Sequence, residues 1–178
     1  MSSALSVRDS DKSKPYIPLA GVATDGWSKE DEATATCFCG AVQLAFPTTA
    51  PGLVDSFVCN CTDRRKITGL MFTSAFVIDD KFLKHLRGQS QLKAFAQSSF
   101  IASHTLMTNY FCSTCGSLMY RIAARLPGHS ILRLGTVDDF NLVETKLRPR
   151  TEVFMKDRVS WFPGVPGEEV KRYNARQA

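Results

Sequence analysis

All six cysteines of this 178-residue chain fall into three close pairs: Cys37 and Cys39 in "CFCG", Cys59 and Cys61 in "CNC", and Cys112 and Cys115 in "CSTCG". Random placement rarely leaves none single, so the pairs point to coordination chemistry. A closed tetrahedral zinc takes four thiolates or imidazoles, commonly as two close pairs from distant stretches of chain. Two of the three pairs then make one site, and the residue after each pair indicates which. Beyond the second ligand the backbone must curl so that amides face sulfur, and glycine adopts that conformation most easily because it tolerates positive φ. Cys39 is followed by Gly40 and Cys115 by Gly116, whereas Cys61 is followed by Thr62. Cys37, Cys39, Cys112 and Cys115 are therefore expected to hold one structural Zn2+ joining the start of a domain to its middle. Four thiolates also suit iron, but the CxC spacing departs from the usual cluster runs. The alternative is four unliganded cysteines packing as small hydrophobes.

A chain of this length can bury a core of its own, and its 44% hydrophobic and 22% charged residues are ordinary for a globular domain. No stretch approaches the roughly 18 uninterrupted apolar residues of a membrane helix, and the opening "MSSALSVRDSDKSKPYIPLAG" lacks the apolar core of a secretory signal. The expectation is a soluble, cytoplasmic protein with no membrane partner. Thiols stay reduced in that compartment, which favours metal binding or catalysis over a disulfide framework. The net charge of +5 comes from short clusters such as "RRK" at 64–66, "KHLR" at 84–87 and "KLRPR" at 146–150. Such clusters attract anionic small molecules or decorate a solvated surface. No aromatic-and-basic motif accompanies them, so no nucleic-acid partner is expected.

Residues 1–33 are rich in Ser, Asp, Lys and Glu and read as an extension, partly flexible or draped over the domain. From residue 34 to about 165 short runs of β-branched and aromatic residues recur between turn signals: "AVQLAF", "LVDSFVC", "MFTSAFVI", "LKAFA", "TLMTNYF", "LMYRIA" and "SILRLGTV". One mainly β domain of antiparallel sheets is expected, with a single short helix at "VDDFNLVETK" capped by Asp138 or Asp139. Residues 166–178 form a C-terminal tail. Trp161 and Phe162 read as packing residues of the core or a lid.

The remaining pair, Cys59 and Cys61, is too small for a catalytic zinc, which takes three protein ligands and an open position. Asp63, His85 and His104 are candidate third ligands by residue type, although nothing in the sequence places either histidine nearby. His129 in "LPGHS" is a loop residue with less claim.

Together the pairs and their surroundings resemble the glutathione-dependent formaldehyde-activating enzyme family, which includes the centromere protein V-like proteins and has an Mss4-like β fold. The resemblance rests on "CFCGAVQLAF", "CNCTDRRKITG", "FTSAFVI", "NYFCSTCGSLMYR", "LGTVDDF" and "PRTEVFMKDRVSWFPG", spanning roughly 36 to 163. It implies a structural zinc on the first and last pairs, and a second, catalytic zinc held by three cysteines in a pattern like CxCxxC. The first two would be Cys59 and Cys61; the third falls on Arg64. A guanidinium offers no lone pair and repels a cation, so the second zinc is expected to be weak or absent. The same charge favours the thiolate form of its neighbours and can bind an anionic substrate group.

These readings lead to a divergent enzyme of carbon–sulfur lyase type, or one acting on a related small substrate such as a glutathione adduct or another anionic metabolite. Cys59, Cys61 and Arg64 are its candidate catalytic residues. Thr62, Asp63, Arg65 and Lys66 share the same segment, read as a loop, and could line the pocket. The alternative is a zinc-stabilised binding or scaffold domain without catalysis. A homodimer stays open.

Overall fold

A computed structural model describes residues 6–98 and 104–175; the outermost positions of both terminal segments lie outside that range. In chain order the elements are β1 (Glu32–Thr36), β2 (Gln43–Pro47), β3 (Leu53–Cys59), α1 (Thr62–Thr68), β4 (Thr73–Asp79), β5 (Lys84–Arg87), β6 (Leu92–Gln97), β7 (Met107–Cys112), β8 (Leu118–Ala123), β9 (His129–Arg133), α2 (Phe140–Glu144), β10 (Thr151–Val153) and β11 (Lys171–Tyr173). The mainly β expectation holds. Two sheets form among the described residues, a three-stranded one in the order β1-β2-β5 and an eight-stranded one in the order β11-β10-β3-β4-β9-β8-β7-β6.

Alternation along the strands of the large sheet gives it two different faces. On β4, Phe76 and Ile78 point to one side and join Leu44 and Phe46 of the small sheet, Met119, Tyr120 and Leu132 in the main core. Ala75 and Val77 point to the other side, where Phe57, Cys59, Met107, Ala123, Ile131 and Val153 form a second, smaller cluster. The small sheet covers the first face only.

Three features depart from the sequence reading. The large sheet is mixed rather than purely antiparallel, because β10 pairs in parallel with both β3 and β11. Residues 62–68, read as a loop, form a helix that ends at Gly69 in the left-handed region, φ 68°. Trp161 is 66% exposed, whereas Phe162 stacks on Phe72 with centroids 4.0 Å apart, so only the second of the two is a packing residue.

The expected helix is present as α2, with the Asp139 side chain accepting from the Asn141 amide. The same end of α2 holds the N-terminal extension down. Asp139 also accepts from the Tyr16 amide at 2.9 Å, and the Asn141 side chain donates to the carbonyls of Asp11 and Lys14 at 2.8 Å each. The C-terminal segment contributes β11 to the sheet edge, and Arg172 donates to the Val165 carbonyl at 2.7 Å. No described helix is long and apolar enough to cross a membrane.

Candidate metal centre and a buried thiol–arginine site

The first cysteine pair sits in the β1–β2 turn and the last at the β7–β8 turn, so each is presented by a hairpin tip. Both glycines after these pairs have the positive φ that the sequence argument requires, 79° at Gly40 and 75° at Gly116. Each turn closes on itself: the Gly40 amide donates to the Cys37 carbonyl and the Gly116 amide to the Cys112 carbonyl, both at 2.9 Å. The four sulfurs lie within 4.8 Å of one another, with Cys37 to Cys39 at 3.6 Å and Cys39 to Cys112 at 3.7 Å. A metal with bonds of about 2.3 Å to four tetrahedral sulfurs places them roughly 3.8 Å apart, so the cluster fits such an ion in size and donor set. The Val42 amide donates to the Cys37 sulfur at 3.2 Å, and a backbone donor of this kind stabilises a coordinated thiolate. The expected grouping of these four residues is present, and Cys37 and Cys112 are buried where the metal would join the two sheets.

Cys59 and Cys61 lie elsewhere. Cys59 ends β3 and points to the second face of the large sheet, while the main core and the four-cysteine cluster occupy the first. Among the described residues no third metal ligand joins this pair. His85 is on β5, with Nε2 3.3 Å from the Tyr120 hydroxyl on the first face. His104 is exposed, in the left-handed region at φ 48°, and His129 hydrogen-bonds the Pro127 carbonyl through Nδ1. Asp63 is taken by other partners: Arg121 Nη1 donates to its Oδ2 at 2.7 Å and Gln97 Nε2 to its Oδ1 at 3.0 Å.

Helix α1 sorts its residues by side. Thr62 and Lys66 are exposed, and Arg65 reaches the Met71 sulfur at 4.0 Å. Asp63 and Arg64 turn inward. Arg64 is 7% exposed, and its guanidinium lies 4.9 Å from the centre of the Phe57 ring, a cation–π contact.

Two further arginines converge here that the sequence reading did not single out. Arg121 on β8 and Arg133 on β9 are 2% and 7% exposed. Their signal was a charged residue inside the otherwise apolar strands "LMYRIA" and "SILRLG", where no solvent-facing alternation explains it. Arg121 is anchored by Asp63 and by Nε donation to Asn109 Oδ1 at 2.8 Å. Among the described residues Arg133 has no such anchor.

These charges act on the thiols. Against the cost of burial, the neighbouring Cys61 thiol, then the Arg64 charge, the Cys61 backbone N–H and the Arg121 charge bring the Cys59 thiol down to about 6. Cys61, beside the Cys59 sulfur and partly desolvated, is pushed upward. Burial lowers Arg121 and, more strongly, Arg133, with repulsion from Arg64 adding to both; Cys59 and Asp63 oppose it at Arg133. A second zinc does not fit this place. Two sulfurs are too few, and three guanidiniums surround them with positive charge.

No curated protein matches this chain. Solved structures that match include the crystal structure of a Rhodobacter sphaeroides protein from a structural-genomics programme, at 22% identity, with 58% of this chain and 85% of that one covered and a TM-score of 0.45. The family model described as "Glutathione-dependent formaldehyde-activating enzyme" matches residues 32–157, a stretch that contains both thiol sites and all three inward-turned arginines, and the chain belongs to that family.

Proposed function

We propose that this protein is a single-zinc member of its family, with Zn2+ held by Cys37, Cys39, Cys112 and Cys115 as a structural cross-link, and that its second site does carbon–sulfur chemistry on a small electrophile without a metal. The observation that carries the reading is the buried Cys59 beside the half-buried Cys61, with the Arg64 and Arg121 charges acting on the Cys59 sulfur. Bound zinc supplies folding free energy by tying the two hairpin tips together. At the second site Arg64 stands where the family resemblance leads one to expect a third thiolate.

The chemistry follows from the two thiols having opposite roles. The Cys59 thiolate adds to the carbonyl carbon of an aldehyde, forming a C–S bond as the carbonyl π pair moves to oxygen. Cys61, which keeps its proton, donates it to that oxygen, giving a hemithioacetal on Cys59 and a thiolate on Cys61. Run in reverse, the C–S bond breaks, the hydroxyl proton returns to Cys61 and the aldehyde leaves. The aldehyde so released adds to a free thiol such as glutathione, whose sulfur bonds the carbonyl carbon while its S–H proton passes to the carbonyl oxygen. The net reaction, aldehyde plus thiol to hemithioacetal and its reverse, is of carbon–sulfur lyase type.

One observation favours the competing reading of a non-catalytic binding domain: Cys59 is only 2% exposed. The two readings separate in one experiment. Purified protein is incubated with glutathione and formaldehyde, or with a panel of small aldehydes, and turnover is followed beside Cys59→Ser. Turnover lost in Cys59→Ser supports the enzyme. No turnover, with Cys59 resistant to iodoacetamide at neutral pH, leaves the binding domain.

A further inference from the structure

Arg64, Arg121 and Arg133 between them leave five guanidinium nitrogens buried without a hydrogen-bond partner: Nη1 of Arg64, Nη2 of Arg121, and Nε, Nη1 and Nη2 of Arg133. Arg133 is the telling residue, because every one of its side-chain donors is unmatched. A buried donor left unpaired carries its full desolvation cost, and more so when charged. Arginine cannot escape by losing its proton, since its guanidinium stays charged in proteins. Among the described residues, the negative charge acting on this cluster is Asp63, already paired with Arg121 at 2.7 Å, and the Cys59 sulfur. Three cations against one carboxylate and one thiolate leave an excess of positive charge, and against a neutral thiol the excess is larger.

Arrangements of this kind are stable when an oxyanion completes them. A guanidinium presents its N–H groups in a planar fork that matches two oxygens of a carboxylate or phosphate. The Arg133 fork is fully available. Arg121 is held rigid by Asp63 and Asn109, and Arg64 is held over Phe57, so both offer a fixed remaining donor. The cluster comes toward the surface at Cys61 and Asp63, both half-buried on or beside α1. The geometry points to a buried oxyanion site built by Arg133, Arg121 and Arg64, taking the carboxylate or phosphate group of a small molecule and seating it beside the Cys59 sulfur. This assignment stands whether or not Cys59 reacts, and where Cys59 does react it makes the substrate an anionic one.

The test uses the intact, zinc-loaded protein with inorganic phosphate and with malonate as separate probes, and sodium chloride at matched ionic strength as control. Melting temperature and calorimetric titration are read for the native chain, Arg133→Met, Arg133→Lys and Cys59→Ser. One of the two oxyanions is expected to bind saturably and raise the melting temperature above the chloride control, and which one does so identifies the group carried. Arg133→Met is expected to weaken that binding at least tenfold while melting no lower than the native chain without anion, because it removes an unpaired buried charge. Arg133→Lys keeps the charge but loses the fork, and is expected to bind weakly; it also serves if the methionine variant does not fold. Cys59→Ser is expected to keep the binding, so a catalytically silent Cys59 leaves this site standing. Equal response to phosphate, malonate and chloride, or full binding by Arg133→Lys and Arg133→Met, overturns it.

Discussion

A charge at Arg64 and a proton on Cys61 together decide what Cys59 is. With the Cys59 thiol at about 6, well under its ordinary 9.0, ionisation favours the folded state. That contribution is complete above the ordinary value and is lost as pH falls through about 6. Alkylation of Cys59 by iodoacetamide is therefore expected to rise with pH to a midpoint near 6, read by peptide mass spectrometry. Arg64→Met should move that midpoint up by about one unit, as losing a nearby cation does for a thiolate; an unmoved midpoint would show that Arg64 does not set it. Asp63 is the ion-pair partner of the buried Arg121, 2.7 Å from its Nη1. Asp63→Asn leaves Arg121 buried with its charge uncompensated, and a loss of roughly 3 kcal/mol is expected in urea unfolding. The four-cysteine grouping was legible in the sequence because glycine leaves a local mark beside each pair. Arg121 and Arg133 were not, because what makes them unusual is the strand register that turns them inward, which only the assembled sheet fixes.

Short elements were the hardest to foresee. Helix α1 carries its own signals, with Asp63 in the first turn, Arg65 and Lys66 in the last and Gly69 just beyond. In "CNCTDRRK" they overlap the ligand spacing of a metal site, which points to a different local structure. Strands β10 and β11 have three residues each, too few for a period of two to stand out. Strand β5 presents itself in the sequence as the basic cluster "KHLR", in which Lys84 and Arg87 mask the apolar Leu86. Its end is set by Gly88, which has φ 73° and whose missing Cβ would lie 2.0 Å from the Ala41 carbonyl oxygen. Alanine there must displace backbone of the β1–β2 turn that carries the metal pair. Gly88→Ala is expected to cost about 2–4 kcal/mol by chemical denaturation; a loss within about 0.5 kcal/mol, the ordinary range of a surface substitution, would mean the turn relaxes freely.

At the scale of the molecule, the two thiol sites lie on opposite faces of one sheet and differ in kind: one gathers four sulfurs, the other surrounds two sulfurs with arginine. On the proposed function, stability and chemistry are thereby separated. Cys112→Ser should abolish metal binding, taking zinc from one per chain to none by elemental analysis, and should lower the melting temperature by about 6–12 °C, since ~3 kcal/mol shifts a domain of this size by roughly 2–4 °C per kcal/mol. The Cys59 alkylation profile of whatever fraction stays folded should be unchanged. An unaltered melting temperature would remove the cross-link from the account of the fold.

The hairpin tips that form the metal centre lie far apart in the chain, and this has a bearing on how the protein is made. From Cys37 to Cys115 is 115 − 37 = 78 residues, which a ribosome adds in roughly 4–16 s at about 5–20 residues per second. Throughout that interval the emerging chain bears its first two thiols without the partners that complete the cluster. A metal held by these four thiols can thus load only late in biosynthesis, and the nascent protein passes through a window in which oxidants and competing soft metals meet an unfinished site.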